Sequence, residues 1–111
     1  MININVSGHN EVTIIEASGR IDSMNANQLG EALINEVEEG NLYLVLDLNA
    51  VDYMSSAGLR EMVSTLKKAK KASGDLRIAQ PSDRVREVLE MAGLDTIFKI
   101  YPTQADAVES Y

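Results

Sequence analysis

Residues 42–60, Leu-Tyr-Leu-Val-Leu-Asp-Leu-Asn-Ala-Val-Asp-Tyr-Met-Ser-Ser-Ala-Gly-Leu-Arg, constrain the fold more than any other stretch of the chain. The near-continuous apolar run from Leu42 to Leu48 predicts a strand buried on both faces, as in the middle of a sheet with parallel neighbours. A parallel neighbour requires a crossover connection, usually a helix. Ser56-Ala-Gly-Leu opens that helix, with Leu59, Met62, Val63 and Leu66 at helical spacing. The polar residues between, from Asp47 to Ser55, read as a turn. Ser55 and Ser56 therefore stand at a helix N-terminus just beyond a strand. Backbone N–H groups are unpaired there, and the helix dipole favours negative charge. A hydroxyl at that place serves as a helix cap, a nucleophile or a phosphate acceptor, and the local residues leave all three open.

The remaining segments build an alternating pattern around this one. Ile2, Ile4 and Val6 alternate with Asn3 and Asn5, a half-buried strand over residues 2–6. Ser7 to Asn10 is a turn, and β-branched Val12 to Ile15 begin a second strand that runs to Ala17 and ends at Gly19-Arg-Ile-Asp22. Asp22 or Ser23 can cap a helix over residues 24–39 carrying Leu29, Leu33 and Val37, stopped by Gly40. After the central strand and the helix Ser56–Ala72 come a strand at Leu76–Ala79 and a helix begun by Pro81-Ser82 and stopped by Gly93. A short strand at Ile97–Ile100 and a last helix from Gln104 to about Glu109 follow. The expected order is ββαβαβαβα: an α/β fold with a mainly parallel, mixed sheet of about five strands, an N-terminal hairpin at the edge and about four helices. The 111 residues fit a single domain over 1–111.

Composition narrows the function classes. Seventeen acids against 10 bases leave a net charge of −7, which argues against nucleic acid and against an anionic membrane surface, and suits a protein partner. There are no cysteines, hence no disulfide, thiol or zinc–thiolate chemistry. No stretch has the length of a membrane span, and Met-Ile-Asn-Ile-Asn-Val does not read as a signal peptide, so a cytoplasmic location is expected.

Few residues suggest catalysis. His9 lies in the first turn and reads as solvated. Met54-Ser-Ser-Ala-Gly58 has the serine and the second glycine of a hydrolase elbow but lacks the first. No glycine-rich nucleotide loop is present. Asp47 and Asp52 read as turn formers, without further acids or histidines to complete a metal site. Lys67, Lys68, Lys70 and Lys71 suit the C-terminal end of their helix. An enzyme, a metal site and a cofactor are therefore not expected.

Asp47-Leu-Asn-Ala-Val-Asp-Tyr-Met-Ser-Ser-Ala-Gly-Leu-Arg60 resembles the signature of STAS domains, in particular the bacterial anti-sigma factor antagonists, and Gly19-Arg-Ile-Asp22 is similar to a second motif of that family. The resemblance spans essentially the whole chain and implies the STAS fold. It implies a phosphate acceptor two residues before the motif glycine, which is Ser56 before Gly58, with Ser55 as second choice. Many members carry Asp where this chain has Ser55. Asp22 matches an acidic residue near the phosphorylation loop, and Ser55, Ala57 and Gly58 would form the partner-binding surface around Ser56. The implied partners are an anti-sigma factor serine kinase, which supplies the ATP site, and a serine phosphatase. A free monomer is expected. STAS domains also occur as non-switching scaffolds and as small subunits of signalling or lipid-transport complexes, which is the alternative role.

Overall fold

In the computed structural model, which describes residues 2–111, five strands form one mixed sheet. They are β1 (Ile2–His9), β2 (Val12–Ile21), β3 (Tyr43–Met54), β4 (Asp75–Ala79) and β5 (Ile100–Tyr101), and they lie side by side in chain order. β1 runs antiparallel to β2 at one edge, and every other pairing is parallel. The helices are α1 (Ala26–Glu38), α2 (Ser56–Lys71), α3 (Asp83–Met91) and α4 (Gln104–Glu109), with a single 3-10 turn at Leu94–Thr96. This is the hairpin followed by αβ units expected from the sequence.

Side-chain alternation along the strands divides the core into two unequal layers. Ile15, Ala17, Leu44, Leu46, Leu48, Leu76 and Ile78 point to the face covered by α1, α2 and α3 and meet Leu29, Leu33, Met62, Leu66, Val85 and Leu89. Val12, Ile14, Val45 and Ala79 point to the other face, where the only cover among the described residues is Ala107 and Val108 of α4 with Tyr101 and Tyr111. Leu44, Val45, Leu46 and Leu48 are wholly buried, so the central strand is apolar toward both layers as its sequence requires. Tyr111 fastens the thin layer. Its hydroxyl lies 2.7 Å from the carbonyl of Leu44 and 2.9 Å from that of Asp75, bridging β3 and β4. The Arg77 guanidinium stacks 3.9 Å from its ring centroid.

Four local expectations change. Ser7, Gly8 and His9 are not a turn: they continue β1 and pair with Ile14, Thr13 and Val12 of β2. The residues from Asp47 to Ser55 are not a turn: β3 continues to Met54, because β2 also continues past Ala17 and supplies a partner. Ser18, Gly19, Arg20 and Ile21 pair with Ala50, Val51, Tyr53 and Met54 across two register shifts. Gly19, at φ 100°, takes the backbone through the irregularity. Asp47 is consequently a buried strand residue rather than a turn former. Its carboxylate accepts from Asn49 N–H and from the side-chain amides of Gln80 (2.9 Å) and Gln104 (2.7 Å). The fifth strand is Ile100–Tyr101, not Ile97–Ile100. Residues 94–96 coil into the 3-10 turn, which brings Phe98 into the core and leaves Ile97 46% exposed. Helix α1 begins at Ala26 rather than residue 24, after a turn that Asp22 shapes.

Close approach places α2. A Cβ on Gly58 would collide with the Met54 thioether and meet Cγ2 of Ile21 at 2.9 Å, so only glycine lets the first turn of α2 sit on the ends of β2 and β3. Gly58→Ala should lower stability by about 1–2 kcal/mol, the overpacking cost less the gain in helix propensity. Urea unfolding would show it, and an unchanged midpoint would mean that α2 tolerates a shift. Burial, followed by the nearby Asp75 carboxylate, pushes the Tyr111 phenol above its ordinary value of 10.0. Its folded pKa thus exceeds the unfolded one, so its contribution is complete below about pH 10 and declines as pH rises beyond that. Tyr111→Phe should cost about 1 kcal/mol near neutrality from the lost hydrogen bonds. It should also lose less stability than the parent on going to alkaline pH. Parallel alkaline declines in the two proteins would contradict this assignment.

Candidate functional site

The paired ends of β2 and β3 carry both sequence motifs to one end of the sheet. Ile21 is in register with Met54, and Ser55 N–H donates to the Ile21 carbonyl at 2.9 Å, so the first residue beyond β3 is tied to the last residue of β2. Ser55 has extended backbone angles and is the N-cap of α2; its Oγ accepts from Gly58 N–H at 3.2 Å. The cap role open to Ser55 in the sequence is thus filled. A Ser or Thr cap contributes about 1 kcal/mol to a helix.

Ser56 is the first residue of α2 and is exposed. Its hydroxyl has no hydrogen-bond partner among the described residues, and the N–H groups of Ser56 and Ala57 have no acceptor among them. No acid stands in the first turn of the helix. The hydroxyl therefore projects from a place with two open donors and the positive end of a 16-residue helix. Beneath it, Ala57 is half-buried and Gly58 buried. The two serines, which the sequence could not separate by role, differ here in burial and in bonding.

Asp22 begins the loop from β2 to α1. Its Oδ1 accepts from the N–H groups of Met24 (2.9 Å) and Asn25 (3.1 Å), while its own N–H donates to Asn25 Oδ1 at 2.9 Å. Asn25, which the sequence reading passed over, is buried and also donates through Nδ2 to the Arg20 carbonyl at 2.9 Å. Asp22 thus shapes its own loop, and that loop meets the Ser55 cap through the Ile21 carbonyl.

Two further features at this end were not foreseen. The Arg20 guanidinium lies 3.9 Å from the ring centroid of Tyr53, its register partner, a cation–π contact on the surface. Met24 is 87% exposed beside Asp22, an apolar side chain that makes no packing contribution. The sequence signal for the Arg20–Tyr53 pair was present in the register of the two motifs, but it becomes legible only once β3 is known to extend to Met54.

The remaining candidates fall elsewhere. His9 pairs with Val12 at the opposite end of β2 from Ile21, nine strand residues or roughly 25–30 Å away from the serine loop. A Ser56–His9 catalytic pair is therefore ruled out. Asp52 is exposed in β3, and no group of acids or histidines among the described residues could hold a metal ion. Lys67, Lys68, Lys70 and Lys71 are exposed along the C-terminal half of α2. No helix among the described residues is long and apolar enough to cross a membrane.

Comparison with known proteins agrees with the family resemblance and with the fold. The chain is 31% identical to the anti-sigma-F factor antagonist RsfB of Mycobacterium tuberculosis, over 96% of this chain and 87% of that one. It is 33% identical to the anti-sigma-B factor antagonist of Bacillus subtilis, over 89% of this chain and 90% of the relative. The crystal structure of an anti-sigma factor antagonist from Mycobacterium paratuberculosis superposes with a TM-score of 0.91 at 32% identity, covering 99% of this chain and 93% of that one. Residues 3–107 match the STAS domain family as a whole, and with these relatives the match shows that the chain belongs to the STAS domain family.

Proposed function

We propose that this protein is an anti-sigma factor antagonist whose binding to an anti-sigma factor serine kinase is switched off by phosphorylation of Ser56. The observation that carries the reading is the state of that hydroxyl: exposed, without a hydrogen-bond partner among the described residues, at the N-terminus of α2 and beside two open N–H groups. The names of the relatives support the regulatory role. In the unmodified state exposed Ser56, with half-buried Ser55 and Ala57 beside it and Gly58 buried beneath, allows close approach of the partner, and Asp22, Arg20 and Met24 extend the same surface.

Phosphorylation adds about −1.5 to −2 charges and three acceptor oxygens. The helix end tolerates that charge, so the domain keeps its fold. In the complex the same group has to lose its water and faces whatever acids the kinase presents. A penalty of about 3 kcal/mol weakens binding roughly a hundredfold. The kinase, using its own ATP, therefore releases the antagonist by modifying it, and a serine phosphatase restores the binding form. The protein acts as substrate and binding module rather than as an enzyme.

The test is phosphate transfer from the cognate anti-sigma factor kinase and ATP, followed by intact mass and fragment mapping. Ser56→Ala should accept no phosphate while still binding the kinase. Ser55→Ala should still accept it, with a stability loss of about 1 kcal/mol from the missing cap. Ser56→Glu should bind roughly tenfold to a hundredfold more weakly than the parent with the same circular dichroism. Phosphate on Ser56→Ala would move the acceptor to another residue, and full-strength binding by the homogeneously phosphorylated protein would dismiss the switch.

A further inference from the structure

The two edges of the sheet are built in opposite ways. β5 is the edge most proteins favour: two residues long, with Lys99 before it and Pro102 after it. Short length, lysine and proline are the devices that stop an edge from pairing with another chain. β1 has none of them. It is eight residues long, Ile-Asn-Ile-Asn-Val-Ser-Gly-His, with no proline and no acid, lysine or arginine. Its register with β2 is continuous from Ile2 to His9, so no bulge twists it away. No described strand pairs with its outer side.

We propose that β1 pairs with β1 of a second copy, joining two sheets into one across a two-fold axis. An antiparallel edge is complementary to itself under such an axis, and this one also matches itself in side chains. Paired residues must share a face. An axis through Asn5 sets Ile4 opposite Val6 of the second copy, Asn3 opposite Ser7, and Asn5 opposite its counterpart. Ile2 and Ile4 already belong to the α1 side of the core, whereas Val6, on the same side, is 47% exposed. The pairing covers that exposed end of the apolar row. On the other side Asn5 meets Asn5, and an amide both donates and accepts.

The net charge of −7 is repulsive between copies, but β1 carries none of it, so no charged side chain of the strand stands in the contact. Glu16 is the register partner of Asn5 on β2, and Glu11 and Glu36 lie beside the Val6–Gly8 end of the strand. In the paired state the two Glu16 residues lie three strand spacings apart, about 14 Å, beyond the ~8–10 Å screening length at ordinary ionic strength. The serine loops, which follow β3, stay clear of the contact and point to opposite ends of the joined sheet. This inference is independent of the phosphorylation reading.

Sedimentation equilibrium of the full chain from about 10 µM to about 1 mM covers the range of a small, weak interface. The expected result is a monomer–dimer equilibrium. Asn5→Lys places two lysines face to face at the axis but opposite Glu16 within its own chain, so it should keep the fold while weakening the dimer at least tenfold. Ala105→Lys, which adds the same charge on exposed α4, should leave the equilibrium unchanged. Hydrogen exchange should show amides of Ile2–His9 gaining protection as concentration rises. A protein that stays monomeric to about 1 mM overturns the proposal. So does a dimer indifferent to Asn5→Lys, or one weakened equally by both variants.

Discussion

The hydrogen bond from Ser55 N–H to the Ile21 carbonyl is the point on which the functional end of the molecule depends. It closes the last gap between β2 and β3 and sets the direction in which α2 leaves the sheet. Gly58 completes the arrangement by letting the helix rest against Ile21 and Met54. Ser55 is then consumed twice, by its N–H toward the sheet and by its Oγ toward the helix. The hydroxyl of Ser56, one residue on, has no hydrogen-bond partner among the described residues. A pair of adjacent serines is thereby divided into one structural and one available hydroxyl by geometry alone.

Much of this architecture was legible in the chain. The apolar run ending in Leu48, the helical spacing of Leu59, Met62 and Leu66, and the stops at Gly40 and Gly93, both with positive φ, appear where residue chemistry places them. What misled was polarity. The residues from Asn49 to Asp52 look like a loop because most are polar or small, yet they are strand, since a strand can be extended by a partner that its own sequence does not reveal. Asp47 misled for a related reason: an acid inside a sheet is read as a turn until Gln80 and Gln104, 33 and 57 residues away, are seen to bond it. Asn25 was illegible because its bonds depend on the bend that Asp22 makes. At the site itself, the two motifs pointed to the right end of the sheet, but the Arg20–Tyr53 contact required the register.

The buried Asp47 carboxylate also shows how the thin layer manages polarity. It has no cation among its bonding partners; neutral amides from the end of β4 and the start of α4 satisfy it. The same amide of Gln104 reaches Glu16 at 3.2 Å. Hydrogen-bonded in this way, a carboxylate can sit under a helix without an ion pair, and it fixes where that helix begins.

The unequal covering of the sheet sets an order in which the molecule comes apart. Three helices hold one face through a continuous set of large apolar side chains, whereas the other face is closed by six residues of α4 and the ring of Tyr111. Opening free energies within one domain follow the apolar contact each segment makes. By apolar contact alone, the segment from Thr103 to Tyr111 is the helix expected to lift first, held chiefly by the polar bonds of Gln104 and Tyr111. Each such excursion uncovers Val12, Ile14 and Val45, an apolar patch in the middle of an otherwise intact sheet. The weakest seam of the domain thus lies on the opposite face from α2, and proteolysis or chaperone contact at that seam would begin without disturbing the serine loop.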